Sequence, residues 1–236
     1  VDRAKTVVTP GRFASGMTFE QYVRHVGTPE NLRRESSSGE PRRDWSEFLR
    51  TAYERTRLTE AQTAALTWLV SQPRGPAKVL AISEEWSSDC RRDIPAVARL
   101  AEVGNLELRI FPRDGQRFSR SQRPTLAEAP DSNADIMAEF LNHKNDQTWQ
   151  SIPVIAFYTG DLEYLGHYTE FPAMYHKDRI VGHLRTPRPG ETKEETQARG
   201  TRDFFTLQAS PFFEVWKSGA VDEMLSLLHE RLVVGA

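Results

Sequence analysis

KVLAISEEWSSDCRRDIP, residues Lys78 to Pro95, is the stretch whose reading decides the fold. Val79 to Ile82 is an apolar run of strand length. From Arg91 to Val103 the positions Ile94, Val97, Ala98, Leu100 and Ala101 recur at helical spacing. Trp86 to Cys90 lies between them, as a tight turn and the start of the helix. Ser87 suits the helix N-cap, because its hydroxyl can accept a first-turn amide. Asp89 falls in the first turn, where a negative charge favours the helix dipole. Glu84 and Glu85 sit in the turn and are expected to be solvated. Cys90 reads as a small buried apolar residue, and Trp86 as a shield over the turn. Leu106 to Phe111 is a second strand, parallel to the first through a right-handed crossover.

Further on, Ser151-Ile152-Pro153-Val154-Ile155-Ala156-Phe157-Tyr158 reads as another strand. Thr159-Gly160-Asp161 then turns the chain into an antiparallel strand, Leu162 to Tyr168. Taken with Trp86-Ser87-Ser88-Asp89-Cys90 and Pro95, this pair of segments resembles the thioredoxin superfamily. The pattern of that family is W-C-x-x-C with a proline five residues after the second cysteine. Trp86, Cys90 and Pro95 match in type and spacing, and Ser87 takes the place of the first cysteine. The resemblance covers about Lys78 to Tyr168, plus the last helix. It implies a thioredoxin-like α/β fold, with a central mixed sheet flanked by helices. It also implies a cis Ile152-Pro153 peptide facing the Ser87–Cys90 turn, with substrate contacts from Trp86, Ile152 and Pro153.

Disulfide exchange needs one thiolate to attack and a second thiol to resolve the mixed disulfide. In the thioredoxin pattern the first cysteine attacks, its thiolate favoured by the helix N-terminus. Ser87 is a far weaker nucleophile, and no base is evident in the sequence to activate it. Cys90 holds the place of the resolving thiol, where burial raises the pKa. Ala81 stands where many thioredoxins keep a buried Asp. The first reading is thus a relative of the thiol-disulfide oxidoreductases with weak or no dithiol activity. Cys90 and Ser87 are its catalytic positions, and a protein or peptide binds at the cis-proline face. A second reading is a glutathione-dependent enzyme in which Ser87 holds the glutathione thiolate. Against it, the helical block precedes the thioredoxin part, and a Glu/Asp-Ser after the hairpin is missing. A third is an ordinary dithiol enzyme carrying a Cys-to-Ser change at Ser87. Beyond glutathione no cofactor is called for.

Composition narrows the class. The chain has 236 residues, 38% hydrophobic and 27% charged, as globular proteins do. A net charge of -2 makes no electrostatic case for nucleic acid or a membrane surface. The apolar runs are too short to span a bilayer. Val1 to Lys5 lacks the apolar core of a signal peptide. One cysteine excludes an intrachain disulfide, which fits a reducing compartment, so a cytoplasmic location is expected. The histidines show no ligand spacing, so no metal site is expected.

Outward from the central stretch, residues 1–75 read as an N-terminal helical extension and 76–236 as the thioredoxin-like domain, with insertions at about 112–130 and 169–210. Residues 1–16 look like an irregular arm with Pro10-Gly11 as a breaker. Thr18, Thr28, Asp44 and Thr59 are expected to open helices. The polar run Arg33 to Arg43 is expected to be a flexible loop. Arg113 to Arg123 is a basic cluster whose ordinary reading is a solvated loop. A helix capped at Asp131 or Ser132 carries Ile136, Met137, Phe140 and Leu141, and His143 to Gln150 is a polar connection. Thr192 opens a helix reaching Gln208. Gly219 is expected to separate a short helix after Ser210-Pro211 from a last one, Val221 to Val233.

Overall fold

The computed structural model describes residues 7–235; the reading of Val1 to Lys5 lies outside them. Five helices come first: α1 (Pro10–Ala14), α2 (Phe19–Val26), α3 (Pro29–Leu32), α4 (Ser46–Arg55) and α5 (Glu60–Val70). Then follow β1 (Lys78–Ser83), α6 (Ser88–Val103), β2 (Glu107–Pro112), α7 (Ala134–Met137), β3 (Asn142–Lys144), β4 (Gln147–Trp149), β5 (Val154–Tyr158) and β6 (Tyr164–Thr169). A 3-10 turn at Ala173–Tyr175 leads to α8 (Lys177–Leu184), α9 (Lys193–Gln208) and α10 (Phe212–Val234).

The main sheet has four strands in the order β2-β1-β5-β6. β1 runs parallel to β2, antiparallel to β5, and β5 antiparallel to β6. The sheet is therefore mixed and flanked by helices. All of β5 is buried, as a strand covered on both faces must be. α10 packs on β6, α6 and α5, and α4 packs on α6. Phe13, Tyr22, Leu49 and Leu66 of the N-terminal helices join the same hydrophobic core as Ile82, Val97 and Phe157.

Local chemistry explains most of the boundaries. Thr18, Thr59 and Thr192 each form a capping box, with Gln21, Gln62 and Glu195 returning the bond. Several segments differ from expectation. Residues 10–14 are helical, not irregular, because Thr9 caps the helix and Pro10 occupies its first position, where no amide is needed. The fourth helix is capped at Trp45, while the Asp44 carboxylate accepts the Ser46 amide at 2.9 Å. The helix after Ser132 is a single turn. His143 to Gln150 is a hairpin, closed by Asn145 and Asp146 at φ 51 and 57, as a two-residue hairpin turn requires. Gly219 does not break α10. It lies in the helix interior, facing the Met174 side chain, and a lone glycine costs a packed helix only about 1 kcal/mol.

Candidate functional site

The site is built at the C-terminal end of β1. The Ser87 amide donates to the Glu84 carbonyl at 3.1 Å, closing the turn. Ser87 then caps α6, accepting the Cys90 amide at 3.4 Å. Trp86 leans edge-on against Phe118, with ring centroids 5.7 Å apart. The Arg113 guanidinium lies 5.3 Å from the Trp86 ring and 5.0 Å from that of Phe118. The Ile152-Pro153 peptide is cis. Trp86, Ser87, Asp89, Ile152, Glu170 and Lys177 border a cleft of about 420 Å³. Three of the sequence-selected residues, Trp86, Ser87 and Ile152, thus meet at one opening. Pro153 is buried beside it, and Cys90 lies behind it at 1% exposure.

Burial pushes the Cys90 thiol up to about 12, although the Glu84 backbone and the Ser83 and Ser87 hydroxyls pull the other way. The thiol is therefore protonated at neutral pH. Tyr22, from α2, closes the rear of this pocket, with its hydroxyl 3.0 Å from Ser83 Oγ. Burial, reinforced by Glu85, holds that phenol well above its ordinary range.

Glu84 and Glu85 are not solvated; their side chains are 0% and 1% exposed. Arg42 Nη1 donates to Glu84 Oε2 at 2.6 Å and to Glu85 Oε1 at 2.8 Å. Arg34 Nη2 donates to Glu84 Oε1 at 2.7 Å, and the Asp114 amide to the same oxygen at 2.8 Å. Asn31 Nδ2 reaches Glu85 Oε1 at 3.2 Å. Two buried carboxylates are tolerated because two guanidiniums, a backbone amide and the Asn31 side chain satisfy them. Burial alone would raise Glu84, but Arg34 and Arg42 outweigh it and hold the carboxyl below the usual range. Burial and the charge of Glu84 push Glu85 up. The run Arg33 to Arg43 is accordingly a clasp: irregular in backbone, yet with Arg34 and Arg42 buried. Arg113 is likewise buried, paired with Asp114 at 2.9 Å, while Arg117, Arg120 and Arg123 are exposed.

A second buried group stands on α6. Arg92 is fully buried and bonds Asp89 and Asp93, each at 2.7 Å. Tyr168 donates to Asp93 at 3.0 Å, and Lys177 pairs with Asp89. Sequence reading missed this group; its one signal was the Asp89-x-x-Arg92-Asp93 spacing on the helix. Burial pushes Asp93 up to about 6 against the pull of Arg92. A folded-state pKa above the unfolded one means that the folded state holds more protons between the two values. The Asp93 contribution to stability must then fall as pH rises from about 4 to about 6. Urea titrations of Asp93→Asn and the parent across that window should show the gap shifting by up to about 1.4 kcal/mol per pH unit, with the variant gaining relative to the parent. Parallel stability curves would mean that Asp93 stays ionised throughout.

A family model described as thioredoxin matches residues 40–184, well over half of the chain. The chain belongs to the thioredoxin family. The match begins between α3 and α4 and takes in Arg42 of the clasp. A protein of unknown function from Pseudomonas aeruginosa has a solved structure similar to this thioredoxin-family chain. It covers 92% of this chain and 94% of its own at 15% identity, with a TM-score of 0.50, which speaks to the fold alone. An HIV epitope-scaffold, 15% identical, covers the same shares, 92% and 94%, with a TM-score of 0.46. No curated protein matches the chain. Among the described residues no helix is long and apolar enough to cross a membrane. Nor do three His, Cys, Asp or Glu side chains gather there to hold a metal.

Proposed function

We propose that this thioredoxin-family protein does not run a dithiol cycle and instead binds an extended peptide segment of a partner protein in the cleft beside Ile152. The observation that carries the reading is the state of its single thiol: Cys90 is buried, protonated and hydrogen-bonded, and Ser87 is spent as a helix cap. Nothing at the turn offers a thiolate to a disulfide. The cleft itself retains what a peptide strand would use. Among the described residues neither the Ile152 amide nor its carbonyl has a hydrogen-bond partner. Unpaired backbone at the rim of an open cleft is the basis of strand addition.

The test combines two measurements. Insulin reduction with dithiothreitol should run no faster with the protein than with dithiothreitol alone. Short peptides selected by display against the full chain should bind one-to-one, and Trp86→Ala and Ile152→Ala should each weaken them at least tenfold. Insulin turnover above background, or peptides indifferent to both variants, would overturn the reading.

Glutathione is the competing ligand. The Ser87 hydroxyl that would hold its thiolate already engages the amide and thiol of Cys90. Calorimetry at millimolar glutathione should therefore show no binding. Binding that Ser87→Ala weakens roughly tenfold or more, the size of a lost charge-assisted bond, would establish the glutathione reading instead.

A further inference from the structure

A second concavity, of about 770 Å³, lies between α8 and α9. Val181 and Leu184 form one wall, and Gly200, Phe204 and Phe205 the other. Two contacts hold α9 in place beside it. Midway along the wall α9 presses on the close of α8: a Cβ at Gly200 would sit 3.0 Å from the Leu184 carbonyl oxygen. There Arg199 donates to the Leu184 and Thr186 carbonyls at 3.0 and 2.9 Å and pairs with Glu191 at 2.6 Å. At its C-terminal end α9 is tied to the 3-10 turn that leads into α8, where Gln208 Nε2 donates to the hydroxyl of buried Tyr175 at 2.5 Å. On the cavity wall Phe205 remains 58% exposed.

The charged groups at this cavity have one sign. Lys177, Arg185 and Lys193 line it, and no carboxylate does. Lys177 is held by Asp89. The side chains of Arg185 and Lys193 have neither an ion-pair nor a hydrogen-bond partner among the described residues. An apolar enclosure of this size with a few polar groups at its edge is the usual form of a small-molecule site. Unpaired cations beside it select a negative head group.

We propose that the α8–α9 cavity binds a single-chain amphiphile with an anionic head. The tail would lie along Val181, Leu184 and Phe204, and the carboxylate would meet Arg185 and Lys193. From Lys193 to Phe204, α9 offers about 16 Å of wall, suited to a medium-length alkyl chain. The site shares Lys177 with the cleft at Ser87, but it does not rest on the peptide reading.

Calorimetry on the full chain with dodecanoate below its micellar concentration provides the test, with dodecanol as the neutral counterpart. Saturable one-to-one binding of dodecanoate is expected. Arg185→Glu combined with Lys193→Glu should weaken dodecanoate at least tenfold and leave dodecanol unchanged. Thr201→Trp, at an exposed position on the cavity wall, should abolish binding of both while the thermal midpoint holds. The proposal fails if the parent protein does not bind dodecanoate, if alcohol and carboxylate bind it equally, or if binding survives Thr201→Trp.

Discussion

Ser87→Cys should confer dithiol redox chemistry on the protein. The introduced sulfur would stand at the N-cap of α6, three residues before Cys90. Residues at that spacing on a helix face one another at roughly 5–6 Å, inside the separation of about 4.4–6.8 Å that a disulfide spans. Air oxidation should therefore yield an intramolecular disulfide, read as the loss of both free thiols by mass spectrometry. Reduced again, the new thiol becomes the attacking group: its thiolate is favoured by the helix N-terminus. It would attack a substrate disulfide, expel one substrate thiolate and form a mixed disulfide. Cys90 would then displace the second substrate thiolate and close the internal bridge, with dithiothreitol returning both electrons.

The resolving step sets the speed. Cys90 titrates near 12, so little thiolate is present at neutral pH, and Ala81 offers no carboxylate to take the proton. Turnover of insulin should rise at least tenfold above the parent yet remain slow, and it should climb with pH into the alkaline range. The cap itself is weakened, at a cost of about 0.5–2 kcal/mol, so stability must be checked beside activity. Failure to form the bridge would show that this turn has left redox geometry altogether. Equal turnover by the parent would mean that Cys90 is reached after all.

The parts of this site that could be read in the sequence are the ones encoded over short spans. β1, the Ser87 cap, α6 and β5 each follow from a run of neighbouring residues, and the capping boxes at Thr18, Thr59 and Thr192 need only four positions each. The buried charges could not be read that way. Glu84 and Glu85 look solvated because nothing near them in the chain would neutralise them; their partners Arg34 and Arg42 stand 50 and 42 residues from Glu84. Arg34 and Arg42 in turn sit in a stretch whose serines and arginines read as a mobile loop. Gly219 shows the reverse error. A local rule makes it a breaker, whereas the packing of α10 on β6, α6 and α5 carries the helix through it. The hairpin at Asn145-Asp146 was within reach of local reasoning, since both residue types favour the left-handed positions that the turn uses.

Arg42→Ala should destabilise the fold by about 3–5 kcal/mol, the usual result of removing one partner from a buried ion pair. That is a large share of the roughly 5–15 kcal/mol that holds a domain folded. Arg42 is the hub: it reaches both carboxylates and also donates to the Glu35 carbonyl at 2.8 Å. Without it Arg34 faces Glu84 alone, and Glu85 keeps only Asn31. Two adjacent buried carboxylates with one guanidinium between them cannot both stay ionised at low cost, so the pair must take up a proton. The pH dependence separates this mechanism from simple loss of packing. In the parent protein Glu84 is held low, so its contribution is present above the unfolded value and lost as pH falls through the folded one. In the variant the pair titrates higher and is relieved by acid. The gap between parent and variant, measured by urea unfolding followed by tryptophan fluorescence, should therefore be widest near neutral pH and narrow as pH drops towards 4. The damage should also reach the cleft, because the Ser87 amide hangs on the Glu84 carbonyl; peptides selected on the parent should bind the variant more weakly even where it is still folded. A gap that stays constant with pH would assign Arg42 to packing alone and remove the clasp from the account of how this turn is held.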